Sequence, residues 1–350
     1  MEVLPEAPSL GFKDSLKEIL LSGRCTGCAA CVVVCPVNSL RYHAGKPELY
    51  GKCASCEACA RACARYKPHT SSSVERFVFG REKTGYEKFG IYSKILVARS
   101  TDHKILRACQ DGGVATSLLM FTLKNKIIEG AAVSSVKKCK PLRPLPVFAT
   151  TTKQLLESAG TRYCYSPNLL ALQEGIRQGK KAMAFVGTPC QVEALRRIQM
   201  IPLKNYPERP KLTIGLLCSE CYSYEGLVED YIGRKLQINP ADVDKIQIKA
   251  KLILTIRSGN VKEYPLRDLH QYARNACKEC ADFSAELADI SLGGLGLNGW
   301  SLVVVRTETG KEFLEKALAA GLLETKPIEE AKHSLELLIK LSTHKQSRMS

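Results

Sequence analysis

Two cysteine quartets near the start of the chain have a spacing suited to iron chemistry. Cys25, Cys28, Cys31 and Cys35 follow the pattern C-x2-C-x2-C-x3-C, and Cys53, Cys56, Cys59 and Cys63 repeat it. Three closely spaced thiolates can wrap three corners of a [4Fe–4S] cubane, and in two-cluster ferredoxins the fourth Cys of each run serves the other cluster. The spacing therefore predicts one cluster on Cys25, Cys28, Cys31 and Cys63, and a second on Cys53, Cys56, Cys59 and Cys35. Paired zinc knuckles are the alternative, but zinc sites use two-plus-two ligands across a long spacer. Pro36 follows the first quartet as the pattern expects, and Ala64 follows the second.

Further cysteines lie beyond these quartets. Cys190 falls in the first turn after the strand-like run Lys181–Val186, where Thr188 is an expected N-cap, Pro189 takes N1 and Gln191 completes a capping box. The helix dipole favours a thiolate there. Cys218 ends a second strand-like run, Thr213–Leu217, and Cys277 and Cys280 form a C-x2-C. Cys190, Cys218, Cys277 and Cys280 together would make a third four-thiolate site. Zinc and [4Fe–4S] both fit that count, and Cys221 rivals Cys218. Cys109, Cys139 and Cys164 are read as non-ligands. No His stands near Cys190 to make a nucleophilic pair.

The chain of 350 residues has room for one small and one larger domain. Its start, MEVLPEAPSLGFKDSLKEIL, has no apolar signal core. No apolar run approaches the roughly 20 residues that span a bilayer. Sixteen Cys in such a chain point to metal ligation in a reducing cytoplasm, not to disulfides. The formal net charge of +16 comes from scattered Lys and Arg with only short clusters such as Lys137, Lys138, Lys140 and Arg143. That is a solvated basic face, and no block of nucleic-acid type is present.

The elements that would position these residues can be read in order. A helix is expected over 14–22, before the first quartet. Residues 68–88 are polar, with Pro, Gly and a Ser triplet, and read as a linker. Ile95–Arg99 is a strand, and Asp111-Gly112-Gly113 turns into an apolar helix from Val114 to Lys124. A glycine turn before a helix lets backbone N–H groups approach a phosphate, though no G-x-G-x-x-G is present. Residues 169–178 form another helix after Gly160-Thr161-Arg162-Tyr163, and 245–264 a hairpin around Ser258-Gly259-Asn260. Ala288–Leu292 is a strand running into Gly293-Gly294, glycines that often face a ligand in α/β folds. Strand Leu302–Arg306, helix 311–320 and helix 328–341 follow, and a polar tail from Thr343 is expected to fray.

Five motifs now combine: C-Q-D-G-G-V-A-T from Cys109, G-T-R-Y-x-x-S-P-N from Gly160, G-T-P-C-Q from Gly187, G-L-L-C from Gly215, and C-x-x-C-x-D-F-S-A-E-L-A-D-I-S-x-G-G-x-G from Cys277. In this order over 89–325 they resemble the family of coenzyme F420 hydrogenase and dehydrogenase beta subunits. With a ferredoxin unit ahead of them, the chain is similar to the input subunit of membrane-associated F420H2 dehydrogenases. The same fused unit resembles the N-terminal half of F420-dependent sulfite reductases, but no siroheme half follows. The resemblance implies FAD and an intrinsic [4Fe–4S] cluster on Cys190, Cys218, Cys277 and Cys280. It places Asp111, Gly112, Gly113 and Thr116 in the flavin motif, and Gly160, Thr161, Arg162, Tyr163 and Ser166 in a second motif lining the same site. Gly293 and Gly294 join them as candidate contacts.

The expected fold class is α+β to α/β. A bacterial-type two-[4Fe–4S] ferredoxin domain (1–67) is followed by a linker (68–88), a larger mixed α/β domain binding FAD and a third [4Fe–4S] cluster (89–342), and a polar tail (343–350). The expected activity is oxidation of F420H2 by hydride transfer to FAD, without catalytic acid or nucleophile. Single electrons would then leave through the clusters to a membrane F420H2 dehydrogenase complex that reduces a quinone or phenazine. The alternatives are a polyferredoxin without its own F420 oxidation, the F420 input module of another reductase, or a zinc-stapled nucleic-acid binder. The resemblance places the chain in the cytoplasm, peripheral to the inner face of the membrane through its partner.

Overall fold

Four parallel strands, Gly130–Val136, Met183–Gly187, Leu212–Leu216 and Ile290–Gly293, carry almost unbroken apolar or small runs. That pattern suits strands covered on both faces. The computed structural model describes residues 11–66, 71–137, 139–202 and 210–348. The expectations for the first ten residues, for 67–70 around the start of the linker, for Lys138 and for the last two residues lie outside it. Among the described residues the parallel strands form the centre of an eight-stranded sheet. Its order is Leu323–Pro327, Lys94–Ser100, Ser301–Val305, Ile290–Gly293, Leu212–Leu216, Met183–Gly187, Gly130–Val136, Pro144–Ala149, with antiparallel pairing toward both edges.

Side chains alternate across this sheet. Ala132 and Phe185 face helices Asn168–Arg177 and Pro189–Gln199, packing with Leu169, Leu172, Val192, Leu195 and Ile198. Ala131, Ala184 and Val186 face helices Val114–Lys124 and Glu308–Ala319, packing with Leu118, Leu119, Phe313 and Leu314. Because the central strands are parallel, their carboxyl ends share one edge, the usual place for a ligand in open α/β sheets. Gly187, Leu216 and Gly293 all end there, just before Cys190, Cys218 and Gly294.

A second layer stands over that edge. Strands Val243–Lys249, Lys251–Ile256 and Val261–Pro265 form an antiparallel sheet with the expected turn at Ser258–Asn260. The π-helical segment Glu225–Lys235 packs under it through Leu227, Val228, Tyr231 and Ile232.

The N-terminal unit consists of helix Phe12–Leu21, hairpin Leu40–His43 and Lys46–Leu49, and two short helices, Ala30–Val33 and Ala58–Arg61. It is not set apart from the rest. Cys28, Ala30, Val33, Val34, Ala58 and Ala62 share one buried core with Leu169, Leu172, Val192 and Leu195. The linker expectation is corrected by the same core. Ser71–Phe79 is a helix whose Val74 is fully buried, and Glu75 accepts from Lys83 N at 3.0 Å. The frayed tail is corrected too. Helix Lys332–Gln346 runs past Thr343 and buries Lys345. No helix among the described residues is long and apolar enough to cross a membrane.

Candidate iron–sulfur and flavin site

In the N-terminal unit, each quartet loop turns through a left-handed residue, Ala29 (φ +67°) or Glu57 (φ +56°), into a four-residue helix. The loops match in detail: Gly27 N donates to Cys25 Sγ and Ser55 N to Cys53 Sγ, each at 3.4 Å. Cys35 meets Cys53, Cys56 and Cys59 around one cavity closed by Phe12, Leu40 and Leu49. Cys63 crosses to the other loop, where Cys63, Cys28 and Cys25 act electrostatically on Cys31. Each fourth cysteine thus lies nearer the thiols of the other quartet than the spacing along the chain alone would place it. Burial pushes the Cys28 thiol up to about 12, so a thiolate there calls for a compensating cation such as iron. An all-sulfur donor set with N–H donors aimed at it fits a [4Fe–4S] cluster.

A second cavity opens at the carboxyl edge of the large sheet. Cys190, Cys218, Cys221, Cys277 and Cys280 line it with Thr26, Arg65, Tyr165, Thr188, Arg274 and Lys345. The thiols come from three separate segments. Cys190 sits in the first turn of Pro189–Gln199, Cys218 and Cys221 follow Leu212–Leu216, and Cys277 and Cys280 come from helix Asn275–Lys278 and just beyond. Cys218 and Cys221 lie with Sγ atoms 3.8 Å apart, and Cys277 Sγ accepts from Cys221 N at 3.4 Å. Both rivals for the fourth ligand therefore face the cavity. Among the described residues no three His, Cys, Asp or Glu side chains converge on a point suited to a single ion. The donor set is again wholly sulfur and is flanked by cations, which fits a cluster. Cys109, Cys139 and Cys164 line neither cavity.

Local bonding corrects one detail. Gln191 does not close a capping box with Thr188. Its amide crosses to Ser166 O at 2.5 Å, and Thr188 Oγ1 lies 3.3 Å from Cys190 Sγ. The D-F-S-A-E-L-A-D-I-S stretch after Cys280 is held by two buried arginines. Arg306 donates to Ile91 O, Ser284 O and Ser291 Oγ, and Arg196 to Leu287 O and to Asp289 Oδ1 at 3.1 Å.

The glycine motifs meet nearby. Gly113 (φ +71°) starts helix Val114–Lys124, and Thr116 is buried in its first turn. A Cβ on Gly112 would lie 2.5 Å from Ala98 O and 2.6 Å from Ser301 N. A Cβ on Gly294 would strike the Asp111 carboxylate, and one on Gly293 would strike Leu217. Gly160 (φ +91°) passes Ala108 O, and Tyr163 Oη accepts from Ile248 N at 3.0 Å. Thr161 is exposed and Ser166 is turned inward, donating to Asn168 Oδ1.

Two buried polar atoms at this place, Asp111 Oδ1 and Arg162 Nε, have no hydrogen-bond partner among the described residues. Burial raises the Asp111 carboxyl while Lys249 and Lys245 pull it back, and burial alone lowers the Arg162 guanidinium. A buried carboxylate oxygen and a buried guanidinium nitrogen without hydrogen bonds, beside a helix N-terminus, suit a cofactor with phosphates and polar ring edges. Arg143, from the short basic cluster of the sequence, pairs with Glu225 at 3.6 Å and stacks on Tyr224.

Sequence reading missed Lys245 and Lys249. Lys245 Nζ donates to Cys109 O at 3.1 Å, and Lys249 Nζ lies 3.7 Å from Asp111 Oδ1. Their only signal was even spacing on one strand face. Gly112→Ala tests the turn. Two backbone atoms block its methyl, so a loss of about 1–3 kcal/mol is expected, with lower flavin retention. Flavin content and thermal unfolding measure this, and wild-type values for both would show that the turn has room.

Comparison with known proteins bears on the family and the fold. Residues 95–173 and 180–331 match the N-terminal and C-terminal parts of the coenzyme F420 hydrogenase/dehydrogenase beta subunit, and 20–41 match a 4Fe-4S binding domain. The chain is 40% identical to the coenzyme F420 hydrogenase subunit beta of Methanothermobacter thermautotrophicus, over 74% of this chain and 93% of that one. It is 29% identical to a subunit of the F(420)H(2) dehydrogenase of Methanosarcina mazei, over 93% and 90% of the two chains. A chain in the solved F420-reducing [NiFe] hydrogenase complex of Methanosarcina barkeri superposes with a TM-score of 0.72 at 38% identity, covering 76% of this chain and 93% of that one. The chain therefore belongs to the family of coenzyme F420 hydrogenase/dehydrogenase beta subunits, with a 4Fe-4S segment at its N-terminus.

Proposed function

We propose that this chain oxidises reduced coenzyme F420 and hands its electrons singly to a partner, with FAD and three [4Fe–4S] clusters as resident groups. The partner would be a membrane-associated F420H2 dehydrogenase complex that reduces a quinone or phenazine, which would hold the chain peripherally at the inner face of the membrane. The relative from Methanosarcina mazei, which matches this chain along nearly its whole length, supports that choice. FAD supplies the exchange between a hydride pair and single electrons.

One observation carries the reading. The cavity of Cys190, Cys218, Cys221, Cys277 and Cys280 lies between the glycine motifs and the N-terminal unit. Segment 160–165 leads from Gly160 to Tyr165, whose Oη is 3.8 Å from Cys190 Sγ. Leu217, against Gly293, is followed directly by Cys218. On the far side, Thr26 lines the same cavity, and Arg65 donates to Ala276 O at 3.1 Å and Glu279 O at 3.3 Å.

The residues take roles accordingly. Asp111, Gly112, Gly113, Thr116, Gly160, Thr161, Arg162, Tyr163, Gly293 and Gly294, with Lys245 and Lys249, would seat and orient the flavin and F420. Ser166 would brace them from within. Cys190, Cys277, Cys280 and one of Cys218 or Cys221 would hold the first cluster on the route. Cys25, Cys28, Cys31 and Cys63 would hold the next, and Cys35, Cys53, Cys56 and Cys59 the last. Cys56 is exposed, which leaves the last site open to a partner.

Purified without oxygen, the protein is expected to carry FAD and about twelve irons and to reduce a dye with F420H2. Full iron loading with no flavin, or with no F420H2 oxidation, would leave only a polyferredoxin and refute the proposal.

A further inference from the structure

We propose that Lys345, near the end of helix Lys332–Gln346, is a positioning residue that raises the reduction potential of the cluster held by Cys190, Cys277, Cys280 and Cys218 or Cys221. The inference rests on the third-cluster reading above and concerns a helix outside the family match, which ends at residue 331. Lys345 is 3% exposed, although its neighbours along the helix include charged and polar residues typical of a surface. An ammonium carries three N–H donors, and all three are used. Two go to backbone carbonyls, Cys218 O at 2.7 Å and Asp282 O at 2.8 Å, and the third points at Cys280 Sγ at 3.3 Å.

Lysine is almost never fully buried unless its charge is answered. The Asp282 carboxylate acts on Lys345 electrostatically but makes no hydrogen bond to it, its Oδ2 accepting from Glu286 N at 3.0 Å. Five thiols share the cavity with Lys345. The two carbonyls belong to a candidate ligand, Cys218, and to Asp282, two residues after Cys280, so they fix the ammonium at the sulfur as a tether would. The helix itself is pinned alongside, with Gln346 Nε2 donating to Lys88 O at 3.0 Å and to Glu286 Oε1 at 3.3 Å.

A cluster gains negative charge on reduction. Charge and hydrogen bonds at its sulfurs are among the factors that set its potential. A fixed cation with an N–H aimed at a cluster sulfur stabilises the reduced form more than the oxidised one. The cavity of Cys35, Cys53, Cys56 and Cys59 has no Lys or Arg in its lining and includes Glu57. The two sites therefore differ in charge environment as well as in place.

Potentiometric titration followed by electron paramagnetic resonance tests this on the complete, anaerobically purified protein. Lys345→Gln is expected to move one midpoint potential downward and leave the other two in place. The shifted signal should be the one missing from Cys277→Ser. Lys345→Arg, which keeps the charge, should stay nearer wild type. Three unmoved midpoints in Lys345→Gln, or an equal shift in both variants, would overturn the proposal. Should Lys345→Gln fail to hold the third cluster, iron content decides. Full iron in Lys345→Arg supports the role of the charge, and equal loss in both variants assigns Lys345 to helix packing alone. Failure of the underlying reading looks different: wild-type protein would hold the iron of only two clusters, and Cys277→Ser would lose none.

Discussion

Cys277→Ser is expected to lose about four irons and most of its electron transfer from F420H2 to a partner, while both N-terminal cysteine sets stay loaded. Cys277 comes from helix Asn275–Lys278, and its sulfur accepts from Cys221 N at 3.4 Å. The fifth thiol of the cavity does not replace it. Cys218 and Cys221 come from one turn with Sγ atoms 3.8 Å apart, so they compete for one position, and the segment 275–280 is left with Cys280 alone. Altering a partner outside the ligand shell already costs about 10–100-fold in metal affinity or activity, and loss of a ligand should cost at least as much. The N-terminal sets keep their own thiols and N–H···S bonds. Iron analysis with electron paramagnetic resonance measures the outcome. Unchanged iron in the variant would sink the third-cluster assignment. Cys218→Ser and Cys221→Ser, made singly, should each have a milder effect, and the more damaging of the two identifies the fourth ligand.

Asp289→Ala should lower stability by about 3–5 kcal/mol, the range for leaving one member of a buried ion pair uncompensated. Asp289 is 5% exposed and Arg196 is 4% exposed. The carboxylate accepts from Arg196 Nη2 at 3.1 Å, from Thr307 Oγ1 at 2.8 Å and from Thr213 N at 2.7 Å. It thereby ties the helix after Cys190, the strand before Cys218 and the cap of helix Glu308–Ala319. The Ala variant strands a buried guanidinium and a buried amide together. Denaturant unfolding of loaded wild-type and variant protein gives the difference. A loss below about 1 kcal/mol, the range of an exposed pair, would show that water reaches Arg196 and that the pair is not a buried one.

Local features were legible in the sequence, and long-range ones were not. The quartet spacing pointed to Cys35 beside the second quartet and Cys63 beside the first, and the thiols lie near one another in that way. Gly113 and Pro189 marked the starts of their helices, since one supplies positive φ and the other lacks an N–H where none is needed. By contrast, Lys345 meets Cys218 across 127 residues, and Arg65 meets Ala276 across 211. No local period encodes such a pairing. The supposed linker misled for another reason. Its Ser triplet and charges hid Val74, Val78 and Phe79, which pack on the buried core from one short helix. Gln191 had the right type and spacing for a cap, yet the buried Ser166 carbonyl held it instead.

Separately folded units in one chain usually move against each other unless a large apolar interface joins them. Here the N-terminal unit shares its core with the sheet domain, and Arg197 Nη1 bonds to Cys63 O at 3.2 Å and Tyr66 O at 3.3 Å. The unit is bolted in place, not swung on an arm. Under the proposed route, hops between its metal sites and the inner one would occur over frozen tunnelling distances, and solvent viscosity would have no stroke to slow. Control of the current would then pass to the two ends, where F420 would arrive and the acceptor would dock, and to the driving force between them.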